Sequence, residues 1–208
     1  MPDPITPLAR GLRERKKQKT RESIQREAMR LIGKQGYDRT TIEQIAAAVE
    51  ISPSTFFNYF PTKEDVVLYD AYDPVLASLL LERPAGEPLS VSLRLVLEAM
   101  ADVFERDREI ILARGKLWLE VPALRARIWE ELEKAQVLMS WLIAQRSGRA
   151  ADDFETRVAV MVMVVAAMEA MREWLRRDGK GSFVALVNQA LEMVEAGARL
   201  DEIASAGK

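Results

Sequence analysis

Apolar positions along this chain recur at three- and four-residue spacing, and no segment sustains period-two alternation. Ile24, Ala28, Leu31 and Ile32 form one stripe, so a first helix is expected over Lys17–Lys34, with Gly36 as its stop. Thr40 followed by Glu43 reads as a capping box for a second helix that turns Ile42, Ile45, Ala46 and Val49 inward. Ser52 then Pro53 is a second start signal: a hydroxyl to cap, and a proline where a missing N–H costs nothing. That third helix is expected to end near Phe60, before Pro61. Thr62 caps a fourth, expected to reach about Leu81 with a disturbance near Pro74. After the loop Arg83–Pro88 come stretches at about Ser90–Arg106, Glu109–Glu120, Pro122–Arg146 and Asp152–Asp178, then a last helix from Ser182 to about Leu200. The fold class is all-α.

Composition narrows the chemistry. The 208 residues include neither Cys nor His, which closes off disulfides, thiolate metal sites, Ser-His and Cys-His catalysis and the usual catalytic zinc sites. An enzyme would have to work through carboxylates such as Glu130 and Glu133, and exposed Glu on a helix is ordinarily a solvated face. No cofactor and no metal are expected. Met1-Pro2-Asp3-Pro4 leads into no apolar signal core, and the longest apolar run, Val158–Met168, is too short for a bilayer. A cytoplasmic protein with no membrane partner is the expectation. The net charge of −2 hides a split: between Arg10 and Arg30 nine bases face three acids, a local +6, whereas the chain after Lys63 is acidic. A basic start on an acidic body suits a nucleic-acid footprint, or equally a solvated helix with a solubilising tail.

Thr40–Lys63 carries the sharpest signal. Two short helices joined by a tight turn, with Ala46, Ala47 and Ala48 small enough for close crossing, make a helix-turn-helix. The second helix offers Ser52, Pro53, Ser54 and Thr55 at its start, where short side chains let a backbone approach base edges. Phe56 and Phe60, four apart, should be core, leaving Phe57, Asn58 and Tyr59 outward or sideways. Asn can bond a base edge, Phe can touch a thymine methyl, and Tyr or Thr can bond a phosphate.

Gly36-Tyr37, Thr41, Ile45-Ala46, Ile51-Ser52, Thr55, the cluster Phe56–Phe60 and Lys63-Glu64 together resemble the DNA-binding domain of the TetR family of bacterial regulators. The resemblance implies that Thr41, Thr55, Tyr59 and Lys63 hold phosphates and that Pro53, Ser54, Phe57 and Asn58 face bases, with Ser52 beside them. It departs at Glu50, where the family often has Gly; a Glu there carries strain if the turn keeps a positive φ. The resemblance also implies a homodimer on double-stranded DNA, at a pseudo-palindromic operator, with a helical C-terminal domain holding an effector. The expected organisation is a flexible basic arm over 1–15, a DNA-binding domain over 16–64 and an effector and dimerisation domain over 65–208.

Met100, Phe104, Leu112, Trp118, Met139 and Trp141 are candidate effector contacts, since Met and aromatics line adaptable apolar pockets; each is also an ordinary core residue. Leu117–Arg127 resembles regulators of the acyl-CoA-binding type, which implies a small lipophilic effector. The function expected is a repressor released by that effector. The competing class is an acyl- or lipid-binding helical module without sequence-specific DNA binding.

Overall fold

A computed structural model describes residues 12–197, with side chains from Lys16 onward. Every regular element among them is an α-helix: α1 (Leu12–Gln35), α2 (Ile42–Ala48), α3 (Pro53–Phe57), α4 (Lys63–Leu68), α5 (Asp73–Glu82), α6 (Leu89–Ala99), α7 (Ala101–Arg106), α8 (Arg108–Glu120), α9 (Pro122–Arg125), α10 (Ile128–Ser147), α11 (Phe154–Arg176) and α12 (Phe183–Glu195). None is long and apolar enough to cross a membrane. The chain divides into two compact units, one comprising the residues up to Val75 with Lys116–Ile128, the other Leu76–Gly115 with Trp129 onward.

The first unit is built on Ile24, Ala28, Ile45, Ala46, Phe56, Phe60 and Val66, all of them buried. Removing a side chain the size of Phe56 from water stabilises by roughly 1.5–3 kcal/mol, so the two aromatics of α3 and its trailing turn anchor that short element. Lys116–Ile128 adds the fully buried Leu124. It also adds an ion pair from Arg127 to Asp65 at 2.7 Å, next to the Thr62 cap.

Several boundaries differ from the sequence expectation, each for a local reason. Helix α1 starts at Leu12, so the last residues of the expected arm, 12–15, are helical; residues 1–11 lie outside the described residues. Thr41, not Thr40, caps α2: its backbone is extended (φ −105°, ψ 161°) and Gln44, not Glu43, closes the capping box. Thr40 is buried instead, and its hydroxyl donates to the Gly36 carbonyl at 2.9 Å. Helix α3 ends at Phe57, and Asn58 is its C-cap.

The expected long fourth helix is two helices. The Gln25 amide donates to the carbonyls of Val66 (2.9 Å) and Tyr69 (2.7 Å), satisfying the end of α4 from outside. The chain then turns at residues 69–72, and Pro74 falls in the first turn of α5, where a proline is tolerated. Pro74 therefore opens a helix where a disturbance inside one was expected. Helices expected over Ser90–Arg106 and Pro122–Arg146 are likewise divided, at Met100 and at Ala126-Arg127.

In the second unit, α11 and α12 are the most extensively paired helices. Ala170, Val187 and Leu191 form their buried seam, and Leu93 and Leu97 of α6 pack against it. A second cluster joins Ala77, Leu80, Val96 and Leu142. Helices α8 and α11 meet at Gly115, where a Cβ would fall 2.6 Å from a methyl of Leu175, so the crossing needs a residue without one. Arg146 fastens the loop after α5, donating to the carbonyls of Leu80 (2.7 Å) and Arg83 (3.0 Å) and to the Ser92 hydroxyl (2.8 Å).

Candidate nucleic-acid interface

The turn between α2 and α3 closes through Glu50 N–H to Ala47 O (3.2 Å) and Ile51 N–H to Ala46 O (3.0 Å). Glu50 takes φ +57°, so the turn keeps the left-handed geometry that favours glycine even though the residue is glutamate. Ser52 Oγ accepts from Thr55 N–H at 3.0 Å and lies 2.8 Å from the hydroxyls of Ser54 and Thr55. Three hydroxyls are thus gathered around the first turn of α3, with Pro53 at its first position.

The inner and outer faces of α3 separate cleanly. Phe56 and Phe60 are buried, with Phe57 edge-on to Phe56 at 5.7 Å between centroids. Phe57 itself is 52% exposed. Ser52, Pro53, Ser54 and Asn58 are exposed, and Thr55 is half-buried. A ring left this open gains from the core only through its edge contact with Phe56, and the rest of it is presented to solvent. Tyr59 is half-buried against the core cluster, which places it sideways rather than on the open face.

Thr41 is exposed at the start of α2; its hydroxyl accepts from Gln44 N–H at 3.3 Å, and Gln44 Oε1 accepts from Thr41 N–H at 3.1 Å. Lys63 sits differently. Its ammonium donates to the carbonyls of Tyr37 (2.8 Å) and Thr40 (2.9 Å) and stands 4.0 Å from the Tyr37 ring centroid. The Tyr37 hydroxyl donates to Glu64 at 2.5 Å. Burial and that hydrogen bond push the Tyr37 hydroxyl well above its ordinary range. Burial works to raise Glu64, but the bonds from Tyr37, its own backbone and Thr62, with the Lys63 charge, hold it below the ordinary carboxylate value.

Thr41, Ser52, Pro53, Ser54, Phe57 and Asn58 are therefore exposed on α2, on α3 or at their caps, while Thr55, Tyr59 and Lys63 are partly inside. Gln44 is a surface residue that sequence reading passed over. The pattern Thr41-x-x-Gln44 carries its signal, one residue along from the competing pair Thr40 and Glu43. Arg127 carried no such signal, because its partner Asp65 is remote in sequence.

Among the expected effector contacts of the second unit, Met139 and Trp141 share one cluster and Phe104 and Leu112 lie around Trp174. Met100 is buried at the break between α6 and α7. Phe104 meets Phe183 edge-on at 5.5 Å. Leu112 lies beside Gly179. Met139 and Trp141 pack on the Ala77–Leu142 cluster. Trp118 belongs to the first unit, with its indole N–H buried and unpartnered. The second unit does contain an open apolar groove of about 500 Å³ between α6, α11 and α12, lined in part by Leu89, Leu93, Val162, Met163, Leu191 and Val194. None of the six lines it.

Residues 24–69 match the family model of the bacterial regulatory proteins of the tetR family, and residues 87–199 match the model of the MftR C-terminal domain. Over 183 residues the chain is 38% identical to the HTH-type transcriptional regulator TcmR of Streptomyces glaucescens, covering 83% of this chain and 81% of that protein. Among solved structures it is similar to Thermus thermophilus FadR, a transcriptional repressor in complex with lauroyl-CoA (TM-score 0.55, 24% identity, 85% of this chain and 94% of that one). It is also similar to Bacillus subtilis FadR in complex with stearoyl-CoA (TM-score 0.52, 22% identity, 85% of this chain and 98% of that one). At these identities the structural likeness establishes a shared fold.

Proposed function

The chain belongs to the TetR family of bacterial regulatory proteins and is a DNA-binding transcriptional regulator; from that premise we propose that it is a dimeric repressor released from a pseudo-palindromic operator by a small lipophilic effector. The observation that carries the DNA half is the open face of α3, where Ser52, Pro53, Ser54, Phe57 and Asn58 stand exposed while Phe56 and Phe60 hold the helix in the core. Pro53, Ser54, Phe57 and Asn58 face base edges in this reading. Thr41 and Thr55 bond phosphate oxygens, and Tyr59 does so from the side.

Two features support the other half. Phe154, Val158 and Val162 are 71%, 46% and 46% exposed and recur every four residues along α11, an apolar strip of the kind a second copy covers. The groove of the second unit has the size and lining of a small-molecule site, and the two FadR proteins of the same fold are complexed with acyl-CoA. An effector that prefers the conformation with wrongly spaced recognition helices lowers operator affinity by population shift.

The test is selection of duplexes from a random pool, followed by titration at several salt concentrations. A two-fold symmetric sequence should emerge, bound with an affinity that falls steeply with salt. Asn58→Ala should then flatten preference at one position per half-site, a loss of about 1–3 kcal/mol of discrimination. Lauroyl-CoA serves as the first effector probe, and release of the selected duplex is the expected response. If no sequence is enriched, the chain is an acyl- or lipid-binding module instead.

A further inference from the structure

From the side chains that α3 turns outward we infer that this helix reads an A·T-rich half-site: Phe57, with Pro53 beside it, takes a thymine methyl, Asn58 takes an adenine edge, and no guanine is read by this helix. The inference rests on the reading of this unit as a DNA-binding one, and it names the base chemistry that the same face accepts.

Pro53 and Phe57 are four positions apart, as are Ser54 and Asn58, and Asn58 still has helical backbone (φ −71°, ψ −16°). Residues at that spacing lie along one edge of a helix. The exposed face of α3 therefore carries two columns side by side, an apolar one of Pro53 and Phe57 and a polar one of Ser54 and Asn58. Phe57 leans on Phe56, which is completely buried, so the ring has a fixed support while most of its surface stays open.

In the major groove only an A·T pair presents a methyl group. It also offers the N7 acceptor and N6 donor of adenine, which an Asn side chain meets with its own donor and acceptor. A G·C pair presents two guanine acceptors, which call for Arg or Lys, and a cytosine amino group, which calls for Glu or Asp. Residues 51–62 include none of these four, and no Gln. An apolar ring set against a G·C edge strips water from those polar groups and gives no bond back, so the face rejects G·C as well as accepting A·T. The hydroxyls do not restore the missing contact. Ser52 Oγ accepts from Thr55 N–H and lies 2.8 Å from the hydroxyls of Ser54 and Thr55, so the three are tied to one another, and a hydroxyl pairs with either base. The cations of this unit stand on other elements, as Lys19 and Arg26 do on α1 and Lys63 on α4. They are left to phosphates, whose contacts fix position without reporting sequence.

Base analogues test this on the full chain and the duplex it selects. Deoxyuridine in place of thymidine removes only the C5 methyl. One thymine per half-site should then lose about three- to tenfold in affinity, the worth of a buried methyl. Phe57→Ala, which lacks the ring, should bind the two duplexes alike. 7-Deazaadenine removes the N7 acceptor, so one adenine per half-site should lose affinity, and Asn58→Ala should cancel that loss. 7-Deazaguanine should cost less at every guanine of the half-site than uracil does at the sensitive thymine. The proposal is overturned if no uracil costs affinity, or if a deazaguanine costs more than any uracil. A uracil loss that persists in Phe57→Ala overturns it too, since methyl groups also change duplex shape. The scans with the parent chain depend on no variant, so a misfolded Phe57→Ala would leave them decisive. Each of these failures leaves a sequence-specific DNA-binding protein whose α3 reads by other chemistry. Failure to enrich any sequence would instead remove the DNA-binding reading, and this inference with it.

Discussion

Glu50 is the residue at which the motif works against local preference. Its φ of +57° is reached by glycine without a Cβ clash and by glutamate only at a cost of roughly 1–2 kcal/mol. The turn does not relax to avoid this, because Glu50 and Ile51 both return hydrogen bonds to the end of α2. Ile51 also packs against the core of the first unit, which fixes the turn from the far side. Glycine in turn gives up more freedom on folding, by some 0.5–1 kcal/mol, so the net change is smaller than the strain itself. Glu50→Gly should stabilise the first unit by about 1 kcal/mol or slightly less, read as a higher urea midpoint with an unchanged slope. An unchanged midpoint would mean that the native turn carries no strain. The departure at Glu50 was legible in the sequence as a departure. Its sign as strain, not as an altered turn, needed the backbone angle.

At the scale of elements, what was legible follows from how local the cause is. The Ser52 cap with Pro53, the inward Phe56 and Phe60, and the start of α4 at Thr62 depend on neighbours within four residues, and they stand where the pattern put them. The split of the fourth helix does not, because the Gln25 amide that ends α4 comes from α1, more than forty positions away. The Arg127–Asp65 pair and the close approach of Gly115 to Leu175 are invisible to periodicity for the same reason. The groove between α6, α11 and α12 is a further case, since large apolar side chains look alike whether they line a pocket or fill a core.

The loop between α5 and α6 shows the same non-local logic and yields a pH prediction. Glu87 accepts from Arg83 and from the Ser92 hydroxyl, with the Arg83 and Arg146 charges beside it, and its pKa drops from 4.5 to about 2. A carboxylate lowered by folding contributes stability above its unfolded pKa and loses it as pH falls through the folded one. The second unit should therefore lose part of its stability between about pH 4.5 and about pH 2. Glu87→Gln should flatten that part of the acid limb relative to the parent chain while changing little between its own variants at pH 6 and 8, as followed by thermal melts. An identical acid limb in the two proteins would show that the ion pair adds nothing in solution.

For the whole molecule, the decisive property is whether two recognition helices are presented together. One α3 offers only its first turn, Phe57 and Asn58 to DNA, a footprint of a few base pairs, and a single such contact gives little discrimination against bulk duplex. Linking two of them turns the second binding event into an intramolecular one, and gains of 10²–10⁴ are common when the spacing fits. The exposed strip Phe154, Val158 and Val162, with Met193 of α12 at 48% exposure, is the surface whose burial would hold that spacing. A glutamate at Val158 places a charge where an apolar partner is required, on a helix side already exposed in the single chain, so the fold itself should survive. Val158→Glu is expected to sediment as a monomer with an unchanged helical spectrum. It should bind the symmetric duplex no more tightly than a duplex holding one half-site, whereas the parent chain should prefer the symmetric duplex by at least about a hundredfold. If the variant still sediments as a dimer, the two-fold axis lies elsewhere on the molecule. If it is a monomer that keeps the full preference, recognition does not depend on pairing two α3 helices, and the repressor proposed here would have to read its operator one copy at a time.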